Sequence, residues 1–398
     1  MENTDISCWA EKFSSQLYGN ILPFWKEHST DTRYGGFLHQ FDRDGKLNST
    51  DKGIWVQGRY TWLLSWLASM EKNPSSRDAY LLQAESGVRF ILDHVFDPAG
   101  RCYYLVRQNG TPVRQRRYLF SEVFVALGLH TYGSVAGTPQ VTARAEELVA
   151  LIERYIRNPS LLPAKNIPEA GTLKSHSMTM ILINLYQQMR KNTADQSARD
   201  ILTEKIARQI TEFFSLFFHP EEQAVVEYVA DDGSIVDSPE GREINPGHTI
   251  ETAWFIMEEY RYTGKKEYLE KALEIIDWAF ARGWDTTYGG LLSFVDLYGH
   301  DSPHIEGTMK YWWPHTEALY ATLLAYKLTG KEIYARHFSE VASYLFERFP
   351  DPEYPEWFGY LNRDGSVACA AKGNLWKGPF HIPRSLRLCL NLFESAEK

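Results

Sequence analysis

The sequence contains few cysteines, and none of them has a metal-binding spacing. Cys8, Cys102, Cys369 and Cys389 lie far apart in a chain of 398 residues, without a CxxC pair. Isolated cysteines are typical of reduced thiols in a cytoplasm, and this spacing gives no zinc motif. The cysteines therefore give no indication of a bound metal.

Long apolar runs and basic runs are also missing. No stretch approaches the ~18 apolar residues that a membrane span needs. The acidic, polar N-terminus, 1–5, has no apolar segment behind it, so no secretory signal is visible. The net charge is −9, which argues against nucleic acid and anionic membrane surfaces as partners. We expect a cytoplasmic protein that acts on a small molecule.

Several catalytic motifs are absent. The chain has no HExxH, no GxSxG, and no glycine pattern of the Walker or Rossmann kind. His300 and His304 have i,i+4 spacing but lie in a predicted loop, which disfavours a metal site. Lys52, beside Gly53, is interpreted as a surface residue. The sequence thus predicts neither a metal nor a redox cofactor.

Aromatic residues, by contrast, are abundant. The chain has 12 Trp, 23 Tyr and 21 Phe, and hydrophobic residues make up 44% of it. This composition supports a large core and makes disorder improbable. Trp and Tyr in excess suit the binding of sugars, whose C–H faces stack on aromatic rings, and suit core packing equally well.

Short extended segments recur along the chain with a period of about 65 residues. Each combines aromatic or β-branched residues with a following Asp-Gly, Asn-Gly or similar turn, which is a hairpin signature. The segments are Tyr34–Phe37, Cys102–Leu105, Val225–Tyr228, Tyr288–Leu291 and Trp357–Tyr360. One copy is missing between the second and the third, where the Pro-, Ala- and Gly-containing loop Asn158–Leu173 lies. Six units therefore account for the whole chain.

Each unit has room for two helices. The predicted helices are 6–29, 54–72, 77–95, 117–135, 140–157, 174–191, 196–218, 247–263, 266–281, 314–329, 331–348 and 380–394. Twelve helices in six antiparallel pairs indicate an all-α fold, an (α/α)6 barrel with short β-hairpin insertions, although a linear solenoid is the simpler alternative. No linker is rich enough in Pro or Ser to mark a boundary, so we predict one domain over 1–398.

The segment Asn245–Trp254 places two chargeable residues at a helix start. Pro246 and Gly247 break the preceding structure, and Glu251 follows His248 by three residues on the same face. The partial positive charge of a helix N-terminus is expected to keep His248 neutral at pH 7. The alternative is purely structural, with His248 as the cap and Glu251 as the acidic half of a capping box.

Three other helix starts carry similar residues. Arg59 lies near the start of an early helix, Glu317 lies in the first turn after Trp313, and His381 follows Trp376 at the mouth of the last helix. In a barrel of paired helices the starts of alternate helices lie at one end, so these residues are expected to converge with His248. This coincidence favours an active site over capping.

The residue types in this set suit proton exchange next to a carbonyl group. Two histidines can act on opposite faces of one carbon, one removing a proton and the other returning it, and imidazole titrates near neutral pH. Arg59 offers a cationic fork for an enolate-like oxygen, and the glutamates can hold sugar hydroxyls. Trp313 and Trp376 would supply stacking faces. The predicted reaction is epimerisation or aldose–ketose isomerisation.

Five motifs in this chain resemble those of the N-acylglucosamine 2-epimerases, also called renin-binding proteins. They are WVQGRYTW (Trp55–Trp62), NPGHTIETAW (Asn245–Trp254), MKYWWPHTEA (Met309–Ala318), EWFGYLNRD (Glu356–Asp364) and KGPFHIPR (Lys377–Arg384). The resemblance extends over essentially the whole chain and implies an (α/α)6 barrel. It also implies interconversion of N-acetylglucosamine and N-acetylmannosamine through a ring-opened, enediolate-like intermediate.

The resemblance also implies roles for single residues. His248 and His381 match the acid/base pair, while Arg59 and Glu317 match positions for catalysis and substrate holding. Residues that match pocket positions of the related cellobiose 2-epimerases are Glu251, Trp313 and Trp376. Those relatives and the mannose isomerases carry a further histidine in the sixth helix. The best-aligned position here is Met180, with His176 one turn earlier and retained as a candidate substrate-binding residue.

Members of this family often use ATP as an activator that is not consumed and often form homodimers. We therefore expect both properties here, with no metal. Three alternatives stay open: another sugar 2-epimerase or isomerase acting on cellobiose, glucose or mannose, an inverting glycosidase, and a non-catalytic binding protein. A glycosidase needs two carboxylates about 6.5–9.5 Å apart, for which Glu251 and Glu317 are the candidates.

Overall fold

The computed structural model describes residues 8–163 and 173–395, and helices dominate it. The helices are α1 (Cys8–Gln16), α2 (Leu22–His28), α3 (Ile54–Met70), α4 (Pro74–His94), α5 (Phe120–Ala136), α6 (Pro139–Arg157), α7 (His176–Lys191), α8 (Gln196–Leu216), α9 (Pro246–Thr263), α10 (Lys266–Gly283), α11 (Trp312–Thr329), α12 (Glu332–Arg348) and α13 (His381–Glu394). A π-helical turn, Leu17–Ile21, joins α1 to α2 without a break, so these two form one rod. The rod and the other helices correspond to the twelve helices predicted.

The helices form an inner ring surrounded by an outer ring. Along the inner ring, α3 packs on α5, α5 on α7, α7 on α9, α9 on α11 and α11 on α13. Contacts between Trp62 and Phe380 and between Met70 and Asn391 bring α13 back to α3 and close the ring. Each of the first five inner helices packs on the helix that follows it, and α13 packs on the rod. The predicted (α/α)6 barrel is therefore confirmed.

Residue composition explains which helices are inside. The inner helix α5 buries nearly every residue from Ser121 to Gly133, whereas the outer helix α6 buries one apolar stripe and exposes its charged residues. Glycines allow the inner helices to approach closely. A Cβ on Gly58 of α3 would lie 2.4 Å from the backbone of Phe124 in α5, and one on Gly128 would lie 2.6 Å from the Gly58 carbonyl oxygen.

Short antiparallel strands lie between the helices. They are β1 (Gln40–Phe41), β2 (Leu47–Ser49), β3 (Lys52–Gly53), β4 (Leu105–Val106), β5 (Pro112–Arg114), β6 (Lys174–Ser175), β7 (Phe218–His219), β8 (Ala224–Val225), β9 (Tyr228–Val229), β10 (Glu243–Ile244), β11 (Val295–Asp296), β12 (Lys310–Tyr311), β13 (Tyr360–Leu361) and β14 (Val367–Cys369). The pairs β1–β2, β4–β5 and β13–β14 are the predicted hairpins. The other two predicted hairpins are wrong as local pairs, because β9 pairs with β6 and β11 pairs with β10.

This pairing places the starts of four inner helices at the same end of the barrel. The strands β3, β6, β10 and β12 lead directly into α3, α7, α9 and α11, and each pairs with a strand of the next extended segment. The registers include Gly53 opposite Leu105 and Tyr311 opposite Tyr360. Each helix start is therefore held by the neighbouring unit, at what we call the hairpin end.

A buried ion pair recurs in three of the repeat units. Lys52 bonds Asp31, Lys310 bonds Asp285 and Lys372 bonds Asp351, with N–O distances of 2.7, 3.0 and 2.8 Å. Each lysine also donates to one or two backbone carbonyls of the extended segment that contains its aspartate or follows it. The interpretation of Lys52 as a surface residue is wrong, because its side chain is 0% exposed.

Helix boundaries differ from the predicted ones by at most three residues. The left-handed Gly264 and Gly330 end α9 and α11 as expected. Most of the loop predicted to replace the missing hairpin, 164–172, lies outside the described residues, and a single domain over 1–398 stays a prediction. None of the described helices combines the length and apolarity needed to cross a membrane.

The contact between α3 and α5 gives a test of the packing. We expect Gly58→Ala to lower the free energy of unfolding by about 1–3 kcal/mol, because the added Cβ meets backbone that cannot rotate away. Chemical denaturation followed by circular dichroism measures this change. Gly19→Ala is the matched control, since a Cβ there has no atom within 4 Å; equal stability of the two variants would contradict the packing.

Candidate active site

A cavity of about 560 Å³ opens at the hairpin end of the barrel. Six of the residues predicted for the site line it: Arg59, His248, Glu251, Trp313, Trp376 and His381. They come from α3, α9, α11, α13 and the loop before α13. The predicted convergence of helix starts is therefore observed, and the two histidines, distant in sequence, share one cavity.

His248 is held by two residues that precede it in the chain. The N-cap of α9 is Asn245, whose side chain accepts the His248 backbone N–H at 3.1 Å. The capping interpretation of His248 and Glu251 is therefore wrong, and the His248 side chain is available for other contacts. Its Nδ1 lies 3.0 Å from the buried carboxylate of Glu227. Since a carboxylate accepts, Nδ1 carries the proton and Nε2 is left for the cavity.

Glu227 determines the charge of His248. Burial alone would lower the pKa of His248, but the adjacent Glu227 carboxylate, helped by Glu251 and Glu243, raises this pKa above its ordinary value. The prediction that the helix start keeps His248 neutral is wrong, because a full negative charge in contact outweighs a partial positive charge. Conversely, burial opposes ionisation of Glu227, but His248 and His176 hold its pKa well below the usual range.

His381 forms a second pair with a carboxylate, in a different electrostatic environment. Its Nδ1 lies 2.8 Å from Glu317 Oε1, which makes Nδ1 the protonated nitrogen and leaves Nε2 as the basic one. The side chain is 8% exposed. Burial lowers its pKa well below the ordinary value, and the positive charges of Arg384 and Arg59 lower it further. The pKa of His381 is therefore lowered where that of His248 is raised.

One indole ring contacts both imidazoles. The Trp313 ring centroid lies 5.1 Å from that of His248 and 5.7 Å from that of His381. Gly247 makes room for this ring, since a Cβ there would lie 2.5 Å from Trp313 Cη2. The glycine in front of His248 therefore has a packing reason beyond its position at a helix start.

Arg384 links the two remaining carboxylates of the site. One of its nitrogens, Nη2, lies 2.6 Å from Glu251 and 2.7 Å from Glu317, and all three side chains are at most 5% exposed. Oxygens of these two glutamates lie within 4.8 Å of each other and of a ring nitrogen of His381. Such a set of donors is suitable for a metal ion, but the Arg384 guanidinium already occupies the space between both carboxylates. The spacing also does not fit the carboxylate pair of an inverting glycosidase.

Arg59 presents a second cation in an aromatic setting. Its guanidinium carbon lies 4.0 to 4.7 Å from the ring centroids of Trp55, Phe124 and Phe380. Burial lowers the pKa of Arg59 to about 9, although Glu251 opposes this change. Its Nε is buried without a hydrogen-bond partner in the described part of the chain. Rings hold the cation in place without consuming its donors, which stay available to a substrate oxygen.

Two of the predicted site residues lie behind the cavity wall. Glu317 does not line the cavity but bonds His381, which does. It also accepts the Trp254 indole N–H at 2.9 Å. His176 is 1% exposed and contacts Thr252 and Glu227, while Met180, one turn later on α7, lines the cavity. The alignment of Met180 with the extra histidine position of the relatives is therefore consistent with its place in the structure.

Two central residues were not predicted from the sequence. Glu227 is a single acid in the apolar segment Ala224–Val229, a pattern that indicates a buried charge with a partner. Arg384 lies one turn after His381, within the KGPFHIPR motif, and its position in the first turn of α13 was the available signal. His304 does not pair with His300; it stacks on Phe294 and bonds Glu243 at the cavity mouth.

The comparisons with known proteins agree with this geometry. The family model described as N-acylglucosamine 2-epimerase (GlcNAc 2-epimerase) matches residues 35–381. The N-acylglucosamine 2-epimerase of Bos taurus is 35% identical over 400 residues, 98% of this chain and 92% of that protein. The cellobiose 2-epimerase of Eubacterium cellulosolvens is 24% identical over 409 residues, 96% of this chain and 97% of that protein.

The solved structures give the fold independently. The cellobiose 2-epimerase of Spirochaeta thermophila DSM 6192 superposes with a TM-score of 0.83 at 21% identity, covering 100% of this chain and 99% of that one. A likeness at this identity supports the barrel and no finer property. Taken with the match of the family model over residues 35–381, the site and the fold place the chain in the N-acylglucosamine 2-epimerase family.

Proposed function

We propose that this protein interconverts N-acyl-D-glucosamine and N-acyl-D-mannosamine by inverting C2 of the open-chain sugar. One observation carries the proposal: two histidines, each bonded to a buried glutamate, line one cavity, and their surroundings shift the two histidine pKa values in opposite directions. Opposed shifts of this kind distinguish an acid from a base. Membership of the family and the similarity to the bovine N-acylglucosamine 2-epimerase support the choice of substrate.

His381 removes the proton from C2. In the open-chain aldehyde, the hydrogen on C2 lies next to a carbonyl group and is therefore acidic. The neutral Nε2 of His381 takes this proton, and Glu317 stabilises the imidazolium that forms by accepting from Nδ1. The electron pair of the broken C–H bond moves toward O1, which gives a planar, enediolate-like intermediate.

Arg59 stabilises the negative charge of the intermediate. Its guanidinium lines the same cavity and is fixed by three rings, so it is in place before negative charge develops on O1. A donor arranged in advance within a buried site contributes more to the transition state than water does. Trp313, in contact with both histidines, offers a face on which the flattened carbon can rest.

His248 returns a proton to C2. Its imidazolium gives the Nε2 proton to the opposite face of C2 and becomes neutral, while Glu227 keeps the Nδ1 proton in place. One C–H bond has been broken and another formed, with no change in oxidation state. The proton then resides on His381, and exchange with water restores the starting form. The reverse reaction follows the same steps in the opposite order.

Met180 supports an N-acyl sugar over the alternatives. Its thioether adds an apolar, adaptable surface to the cavity wall near α7, which suits an acyl methyl group better than a sugar hydroxyl. The second candidate, a cellobiose, glucose or mannose 2-epimerase or a mannose isomerase, would use the same two histidines. ATP as a non-consumed activator, a homodimer and the absence of a metal stay proposals that come from the family resemblance.

A substrate panel tests the proposal. We expect turnover of N-acetylmannosamine and N-acetylglucosamine, with C2 deuteration in heavy water followed by NMR, and no ketose. The panel is repeated with ATP. In a separate experiment it is repeated after treatment with a chelator, and the chelator should leave the rate unchanged. Turnover of cellobiose or mannose in preference to the N-acetyl sugars would favour the second candidate, and C2 exchange with none of these sugars would end the proposal.

Replacing either histidine should separate exchange from inversion. We expect His248→Asn and His381→Asn each to lower net epimerisation at least about 100-fold, because one proton transfer is lost. Each variant keeps one base, so each should still exchange the C2 proton of one epimer, and the two variants should favour different epimers. NMR of each epimer in heavy water measures this difference. Loss of exchange from the same epimer in both variants would contradict bases on opposite faces.

Glu227 should determine the alkaline limit of activity. The reactive form has His381 neutral and His248 protonated, so kcat/KM falls at low pH where His381 gains a proton and at high pH where His248 loses one. Glu227→Gln removes the anion that raises the His248 pKa, so we expect the alkaline limb to move to lower pH. Glu306→Gln, which removes a charge elsewhere on the cavity wall, is the control. An unmoved limb in Glu227→Gln would contradict this role.

A further inference from the structure

A second cavity, of about 500 Å³, lies at the opposite end of the barrel from the active site. We call it the distal cavity. Its lining residues are Gln187, Arg190, Lys191, Arg199, Glu258, Arg261 and Tyr262. They belong to the last turns of α7 and α9 and the first turn of α8. Because α7 and α9 both begin at the hairpin end, their last turns, and the cavity between them, lie away from it.

Positive charge dominates this lining, although the whole chain carries a net charge of −9. Four of the seven lining residues are cationic, against one carboxylate. That carboxylate, Glu258, is already engaged: Arg261 bonds it at 2.8 Å, Lys191 lies 3.8 Å away, and Tyr320 donates to it. Two cations around one carboxylate leave a surplus of one positive charge.

Arg190 is also neutralised, by a residue behind the wall. Its two terminal nitrogens lie 2.9 and 2.6 Å from the carboxylate oxygens of Glu259, a buried bidentate pair. Its side chain is 5% exposed, and its Nε is buried without a hydrogen-bond partner in the described residues. Arg190 thus contributes no surplus charge.

Arg199 adds the second surplus charge. Its Nε donates to the Thr193 carbonyl oxygen at 2.6 Å, and it forms no ion pair within the ranges that the structure describes. It lies in the first turn of α8, whose cap is Asp195. A cation there is opposed by the partial positive charge of the helix N-terminus.

Helix dipoles alone do not explain this arrangement. Basic residues in last turns commonly offset the negative end of a helix, which accounts for Arg190, Lys191 and Arg261. At α8 the Asp195 carboxylate already caps the helix N-terminus by accepting from the Ala198 backbone N–H, so the helix dipole does not account for Arg199 in the cavity lining. A bound anion would give Arg199 an ionic partner and balance the surplus positive charge of the lining.

We propose that the distal cavity binds a phosphate-type oxyanion, either free phosphate or the phosphoryl group of a small metabolite. The surplus charge from Arg199 and from the Lys191–Arg261 pair matches the charge of a phosphoryl group, and arginine forks suit its oxygens. The cavity is separate from the sugar site, so the proposal stands independently of the proposed function. The helices α7 and α9 contribute residues to both cavities. Binding in the distal cavity can therefore be tested for an effect on the sugar site by measuring turnover.

Isothermal titration calorimetry on the full-length protein tests this proposal. Inorganic phosphate and glycerol 3-phosphate are titrated separately, at an ionic strength matched with chloride. We expect saturable binding of at least one of them, and the tighter ligand tells free phosphate from a phosphoryl ester. Arg199→Gln should raise the dissociation constant about tenfold or more, the effect expected for losing a hydrogen bond to a charged group.

Arg208→Gln is the matched control. It removes the same charge from an exposed position of the same helix, outside the cavity lining. Circular dichroism and the thermal unfolding midpoint establish that both variants are folded. No saturable binding to the unmodified protein would overturn the proposal, as would equal dissociation constants for the Arg199 and Arg208 variants.

Discussion

The site depends on the requirement that buried charges be matched. Glu227, Glu251 and Glu317 are each at most 5% exposed on their side chains, and carboxylates in such places persist as anions only with cations beside them. Arg384 bonds Glu251 and Glu317, Arg59 adds a second cation, and His248 bonds Glu227. The pKa values of the two histidines are shifted in opposite directions by the charges buried beside each of them, and the proposed acid and base roles rest on these shifts.

The architecture supplies this match by bringing distant segments together. The inner helices provide the arginines, the histidines and two of the glutamates, whereas Glu227 comes from the segment between two short strands. The strand pairs fix where four of the inner helices begin, and the buried lysine–aspartate pairs fix the extended segments against those strands. Pairing between neighbouring units therefore helps to determine the geometry of the cavity.

Much of the fold was predictable from the sequence. The period of the extended segments and the punctuation at Gly264 and Gly330 are local signals, and they led to twelve helices within three residues of their observed ends. Long-range pairing was not predictable, because two-residue strands carry no register information. The prediction therefore missed that β9 and β11 pair with strands from other units. It also took the buried Lys52 for a surface residue, because its partner Asp31 lies in the preceding segment.

Most residues of the candidate site were predicted from the sequence, but their electrostatic environment was not. Residues at helix starts were identified because Pro and Gly mark those positions. The charge of His248 depends on Glu227, 21 residues earlier, and that of His381 on Arg384, and neither contact follows from spacing alone.

The origin of Glu227 has a consequence for how the pH dependence of this site can change. The proton affinity of His248, the proposed acid, is shifted by a residue in the segment between two short strands, while His248 itself lies on the barrel. Changes in that segment can shift this proton affinity without moving any helix. Adjustment to acidic or alkaline surroundings is therefore open to this protein at little structural cost.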